Sequence, residues 1–273
     1  FDYVYTDSTN HNLRKTNKDV NNQAGVLLLL FSDHSADVLF LIMTCALSCS
    51  CSAGVVMIDE DNVVWLLHST PRFPFSHESN NFYPKSGERN AQIFMCVTLK
   101  STESEEIGKS MSKLFLHTCG QLVIRSLNAF FLCEIIVTFC SFPTKELRIL
   151  FTRFGDLYVT IADTLNTNLY IQTWCNDPNN ADKRPPSVTG KGKELVTIMS
   201  VDTAAGKWNR GCDHSKWCVS ETENWMCVGD SNREPSQFER PGGALCINSK
   251  PVAEKFREIK KLSVKTLQPV IVG

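Results

Sequence analysis

The residues best suited to chemistry lie together in Gly211–Cys246, and their centre is His214-Ser215-Lys216. On an extended strand, side chains two apart share a face, so His214 and Lys216 would project together. That pair suits phosphodiester chemistry. A neutral imidazole attacks phosphorus, and a protonated one delivers a proton to the departing oxygen. An ammonium beside it stabilises charge on the non-bridging oxygens. Side chains supply the cations of such a site, so it calls for no metal and no cofactor. His68 closes an apolar run and reads equally as a structural histidine or a site residue. His11, His34, His77 and His117 fall in no motif. Cys212, His214 and Cys218 invite a zinc reading, as do Cys45, Cys49 and Cys51, but neither set has the paired spacing of a structural site.

Composition bounds what these residues can serve. With 273 residues and 42% hydrophobic content, the chain can bury a full core as one large domain or two small ones. Its 28 Lys+Arg against 29 Asp+Glu exclude a protein that coats nucleic acid by bulk attraction, yet leave room for one basic pocket. Twelve cysteines are too few for a disulfide mini-scaffold and many for a cytosolic enzyme, which favours an oxidising compartment. The chain begins at Phe1 rather than Met, as it would if a leader had been removed or simply not included.

The elements that must position these residues read as a mixed α/β or α+β architecture. Short strands are expected at Phe1–Tyr5 and Val26–Phe31. From Val38 to Ile58 no residue is charged; this stretch reads as a buried helix or strand followed by a loop rather than a membrane anchor, its second half being diluted by serines and cysteines. Gly54–Asp59 and Val63–His68 flank the turn Glu60-Asp61-Asn62 as a β-hairpin. Strands follow at Ile93–Leu99, Ile135–Phe139, Leu169–Trp174 and Leu195–Val201, the last after a Pro- and Gly-containing loop, Lys183–Lys193. Helical spacing marks Ser104–His117, Asp156–Leu165 and a final helix opened by Pro251, with Val252, Phe256, Ile259 and Leu262 on its apolar face. Lys183, Arg184, Lys191 and Lys193 read as a solvated loop before they read as phosphate contacts.

The 34-residue setting of His214 resembles the deoxyribonuclease II family, the acid endonucleases that include lysosomal and plancitoxin-like secreted proteins. Asp213–Ser220 matches the family's DHSKWCVS, Trp225–Arg233 its W-x-CVGD-x-NR, and Arg240–Cys246 its R-x-GG-x-LC. A second block, Gly54–Asp59 followed by Trp65–Pro74, is similar to G-V-hydrophobic-D and W-L-x-HS-x-P-x-FP. Weaker likenesses are Ala91–Leu99 and Phe154–Trp174.

The resemblance implies a phospholipase-D-like fold, with central sheets flanked by helices and two pseudo-symmetric halves that each offer one H-x-K. It implies a single domain over 1–273, with halves of about 1–140 and 141–273. It also implies metal-independent hydrolysis of DNA at acid pH through a phosphohistidine, leaving 3′-phosphates, in a secreted or lysosomal protein. DNA would be the partner, gripped by its backbone with little sequence preference, and no integral membrane association would be needed. Carried over residue by residue, His214 is a catalytic histidine and Lys216 its phosphate-binding partner, with His68 in a supporting or substrate-contacting place. Asp230 and Asn232 contact substrate or orient the site, and Cys227 with Cys246 forms a disulfide.

One departure bears on all of this. The family's first H-x-K immediately precedes the G-V-hydrophobic-D strand, and here those positions read Cys51-Ser52-Ala53. Neither imidazole nor ammonium remains. Val38–Ser52 and Leu127–Cys140 differ in composition from their surroundings, so a faulty gene model and true divergence to a non-catalytic homologue both stand as explanations. A transcript carrying an H-x-K codon set upstream of Gly54 would remove the second.

Overall fold

The computed structural model describes residues 3–5, 14–16, 39–43, 53–58, 61–71, 87–103, 124–125, 147–174 and 185–262. The architecture is mixed α+β, with several sheets and few helices, as the sequence pattern indicates. The expected strands at 26–31 and 135–139, the helix at 104–117, and Cys51, Ser52, Lys183 and Arg184 lie outside the described residues.

Two sheets carry the structure. The first is antiparallel and five-stranded, built from β3 (Leu39–Met43), β4 (Ala53–Ile58), β5 (Asn62–His68), β6 (Phe94–Lys100) and β7 (Ile124–Arg125) in the order β6-β5-β4-β3-β7. The uncharged stretch therefore supplies two sheet strands, and no helix of the described residues is long and apolar enough to cross a membrane. The expected hairpin is present: Ala53 pairs with His68 and Ile58 with Val63. Two short N-terminal strands, β1 (Tyr3–Tyr5) and β2 (Arg14–Thr16), pair with each other.

The second sheet has six strands: β8 (Leu147–Thr152), β9 (Leu169–Gln172), β10 (Leu195–Thr197), β13 (Trp217–Ser220), β14 (Trp225–Gly229) and β15 (Gly242–Asn248), in the order β10-β9-β13-β14-β15-β8. A three-stranded sheet joins β11 (Ser200–Thr203), β12 (Gly206–Asn209) and β16 (Lys260–Lys261). The single strand expected over 195–201 is thus two strands in two sheets. The Ile198 N–H still reaches back to the Ile171 carbonyl, at 2.8 Å, whereas the Met199 N–H donates to Lys261, at 3.0 Å. The chain changes partner at that step, and side-chain periodicity does not register such a change.

Strand alternation explains where the core sits. Val63, Trp65 and Leu67 of β5 and Met95, Val97 and Leu99 of β6 share one buried cluster with Trp217, Val219, Met226, Val228, Leu245 and Ile247 of the six-stranded sheet. Both halves of the chain therefore contribute to one core. The opposite face of the six-stranded sheet is also buried, with Cys218, Cys227, Ala244 and Cys246 packed against Leu157, Tyr158, Ile161 and Ala162. Burial on both faces is why β13–β15 read as nearly continuous apolar runs.

Helix Leu157–Leu165 is the cover on that face. Asp156 caps it, its carboxylate accepting from the Tyr158 N–H, and Asn166 ends it in the left-handed region at φ 54°. The C-terminal helix, Lys250–Ile259, opens with Pro251 and lays Val252 into the core, with Phe256 edge-on to Trp217 at 4.9 Å. It stops one turn short of the expected Leu262. Lys260 is already extended and pairs with β11, which leaves Leu262 37% exposed.

Candidate active site

His214 does not stand on a regular strand as its spacing suggests. A short 3-10 turn, Arg210–Cys212, leads into Asp213, and β13 begins only at Trp217. The intervening residues are instead held from the first sheet's side of the molecule. The Ala91 N–H donates to the Cys212 carbonyl (2.8 Å), and the His214 N–H donates to the Ala91 carbonyl (2.9 Å). The imidazole is fixed by Nδ1, which lies 2.8 Å from the Ser69 carbonyl oxygen. A carbonyl only accepts, so Nδ1 carries the hydrogen and Nε2 keeps its lone pair.

The acceptor is itself pinned. The Ser69 hydroxyl donates to Gln92 Oε1 (2.7 Å) and accepts from the Ile93 N–H (3.0 Å). Ser69 follows His68, and His68 faces Ala53 across the β4–β5 ladder. Ala53, the first residue of β4, is thus paired with the residue that precedes the Ser69 carbonyl orienting His214.

Lys216 is fully buried, and its ammonium donates to the His214 carbonyl oxygen at 3.0 Å. Its charge is felt at His214, Asp213 and Asp230, so these four groups form one electrostatic unit. Burial raises the carboxyl pKa of both aspartates, and the Lys216 charge and local hydrogen bonds oppose that rise. Asp213 accepts from the Ser215 N–H and hydroxyl through Oδ1 and from Trp208 Nε1 (2.8 Å) through Oδ2. Asp230 accepts from the Ser231 hydroxyl at 2.6 Å. A Cβ on Gly242 would come within 2.6 Å of that hydroxyl oxygen, which accounts for a glycine in this place of the R-x-GG motif.

Asn232 is buried, and its N–H donates to Gln237 Oε1 at 2.6 Å. Its side-chain Oδ1 is buried and meets no donor among the described residues. Trp174, which the sequence reading left without a role, tilts over the His214 ring at 5.4 Å and donates from Nε1 to the Gly211 carbonyl (3.1 Å). The structure therefore gathers His214, Lys216, Asp213 and Asp230, with Trp174 and Ser69 added. His68 is buried and stacks beside Phe94 at 5.8 Å. Cys227 and Cys246 are bonded to each other. Cys212 and Cys218 are free thiols, and no metal-ligating cluster occurs among the described residues.

Desolvation dominates both His214 and His68. It lowers His214 to about 4, helped by the Lys216 charge, and His68 to about 3. An unfolded chain protonates both near the ordinary imidazole value of about 6.5. The stability they contribute is therefore fully present above that pH and lost as pH falls toward 4 and then 3, at up to about 1.4 kcal/mol per pH unit for each histidine. The raised carboxyls act with the opposite sign, present at low pH and lost as pH rises through their folded pKa. Urea unfolding at pH 7, 6 and 5 is expected to show falling stability, and His68→Gln is expected to flatten the fall. An unchanged slope in that variant would show that His68 takes up its proton over the same pH range in the folded protein as in the unfolded chain.

The family model for deoxyribonuclease II matches residues 1–131 and 137–265. Deoxyribonuclease-2-alpha of Rattus norvegicus is 32% identical over 234 residues, 76% of this chain and 65% of that protein. Plancitoxin-1 of Acanthaster planci is 29% identical over 233 residues, 74% of this chain and 62% of its own length. Deoxyribonuclease-2-beta of Homo sapiens is 25% identical over 298 residues, covering 94% and 80%. The chain thus spans just under two thirds of the rat protein and of plancitoxin-1. A family match over nearly the whole sequence leaves one conclusion: the chain belongs to the deoxyribonuclease II family.

Proposed function

We propose that this chain is a DNase II-type hydrolase domain acting on DNA phosphodiesters through His214, with a rate limited by the loss of the first H-x-K. The observation that carries the reading is the 2.8 Å contact of His214 Nδ1 with the Ser69 carbonyl, which leaves Nε2 as an oriented lone pair. In this reaction Nε2 attacks phosphorus, the bond from phosphorus to the 5′-oxygen breaks, and the departing oxygen takes its proton from solvent water. Water then breaks the N–P bond and leaves a 3′-phosphate. Lys216 stabilises the developing negative charge by field and, when substrate displaces the His214 carbonyl from its ammonium, by direct contact. Asp230 and Asn232 orient the substrate, and the free Oδ1 of Asn232 suits a hydroxyl or amine donor.

A group with a pKa of about 3 delivers no proton at pH 5, so we give His68 a positioning role, through Ser69, rather than the acid's. The leaving-group acid is then missing from Cys51-Ser52-Ala53. The shared core, to which both halves of the chain contribute, favours a single domain. The family and the cysteine content favour a secreted or lysosomal site of action.

A second reading, a catalytically silent DNA- or protein-binding homologue, draws on the same Cys51-Ser52-Ala53. Supercoiled plasmid at pH 5 in EDTA separates the two. Slow nicking that disappears in His214→Ala supports the hydrolase. Retained DNA binding with no nicking in either protein, both folded, supports the silent homologue.

A further inference from the structure

Three sulfurs stand in one row across the six-stranded sheet. Cys218 on β13 faces Cys227 on β14, and Cys227 faces Cys246 on β15. Directly opposed residues of antiparallel strands point to the same side, with Cβ atoms about 4.5–5.5 Å apart. All three lie in the cluster under helix Leu157–Leu165 and are at most 1% exposed. Cys227 is bonded to Cys246, whereas Cys218 is a free thiol. The catalytic reading uses none of them.

We propose that Cys218, Cys227 and Cys246 form an internal thiol–disulfide exchange site, in which Cys218 and Cys246 compete for Cys227. The step is balanced without any external oxidant. The Cys218 thiol loses its proton to solvent, and its sulfur attacks Cys227 Sγ. The Cys227–Cys246 bond breaks, and Cys246 leaves as a thiolate that takes up a proton. One thiol and one disulfide exist before and after.

The Cys218–Cys227 bond closes only the β13–β14 hairpin, while the bond present spans 19 residues and joins β14 to β15. Loop closure favours the shorter link whenever this part of the sheet is open. In the closed sheet, desolvation pushes the Cys218 thiol pKa up, the nearby Asp156 charge adds to this, and Arg233 opposes it. Thiolate is scarce there and exchange is held off. The native bond is thus the one selected by docking of β15, and the hairpin bond is its alternative in partly unfolded chains.

The test is alkylation mapping of the full chain by mass spectrometry, without reductant at pH 8. Folded protein is compared with protein pulsed in urea at its unfolding midpoint. In folded protein, Cys246 is expected to stay unlabelled. After the pulse, Cys246 is expected to become labelled and a Cys218–Cys227 peptide to appear, with both signals lost in Cys218→Ser. As a second arm, Cys246→Ser refolded in a buffer of oxidised and reduced glutathione, which supplies the oxidant, is expected to carry the Cys218–Cys227 bond. Equal labelling of Cys246 in Cys218→Ser, or free thiols at both Cys218 and Cys227 in Cys246→Ser, would overturn the proposal.

Discussion

Introducing Cys51→His together with Ala53→Lys is expected to raise the rate of DNA cleavage at pH 5 by about 10²–10⁴-fold, the usual contribution of a positioned general acid. The register gives the reason. Ala53 opens β4 opposite His68, and the next residue, Ser69, holds the His214 imidazole. Side chains at 51 and 53 share a face if the strand is extended back by two residues. A histidine and a lysine there would stand beside the retained pair and supply both the missing proton and a second cation. The four groups act as a unit, so the gain is expected to vanish when His214→Ala is added. A folded double variant with unchanged activity would mean that side chains at 51 and 53 do not reach the reacting phosphate.

Asp156→Ala is expected to cost about 3–5 kcal/mol, the usual penalty for stranding one partner of a buried ion pair. The Asp156 and Arg233 side chains are 4% and 3% exposed, and Oδ2 lies 2.7 Å from Arg233 Nη2. The Arg233 guanidinium also donates from Nε to Asp156 and from Nη2 to the Pro186 carbonyl. The same aspartate caps helix Leu157–Leu165. Asp156→Asn keeps the cap and loses the charge, so it should be milder by roughly the 1 kcal/mol of a cap. Replacing both partners by apolar residues, as in Asp156→Leu with Arg233→Met, should recover much of the loss. Urea midpoints at pH 7 read all three variants. A loss below about 1 kcal/mol in Asp156→Ala would place the pair in the class of solvent-screened surface bridges.

What could be read from residues alone follows the range of the forces involved. The β4–β5 hairpin was legible because an acidic turn separates two apolar strands, and helix Leu157–Leu165 because a cap and a 3.6-residue spacing are local signals. The local surroundings of His214 were not. Its backbone is fixed by Ala91 and its ring by Ser69, more than a hundred residues away, and no local period encodes either contact. The same limit hid Trp174 and the Asp156–Arg233 pair. They lie in segments whose likeness to the family is visible, Phe154–Trp174 and Trp225–Arg233, but such a likeness does not say which residue each one touches. The break at 198–199 was missed because both flanking segments suit strands and differ only in their partners.

On the proposed function, the chain keeps one oriented, neutral half of a phosphodiester-cleaving site. ¹⁵N NMR of the His214 imidazole over pH 3–8 tests it most directly. The expected spectrum shows the Nδ1–H tautomer with a bare Nε2 from pH 5 to 8, and protonation only near pH 4. An Nε2–H tautomer, or titration near the ordinary value of about 6.5, would contradict it and leave His214 no better placed to attack phosphorus than a surface histidine.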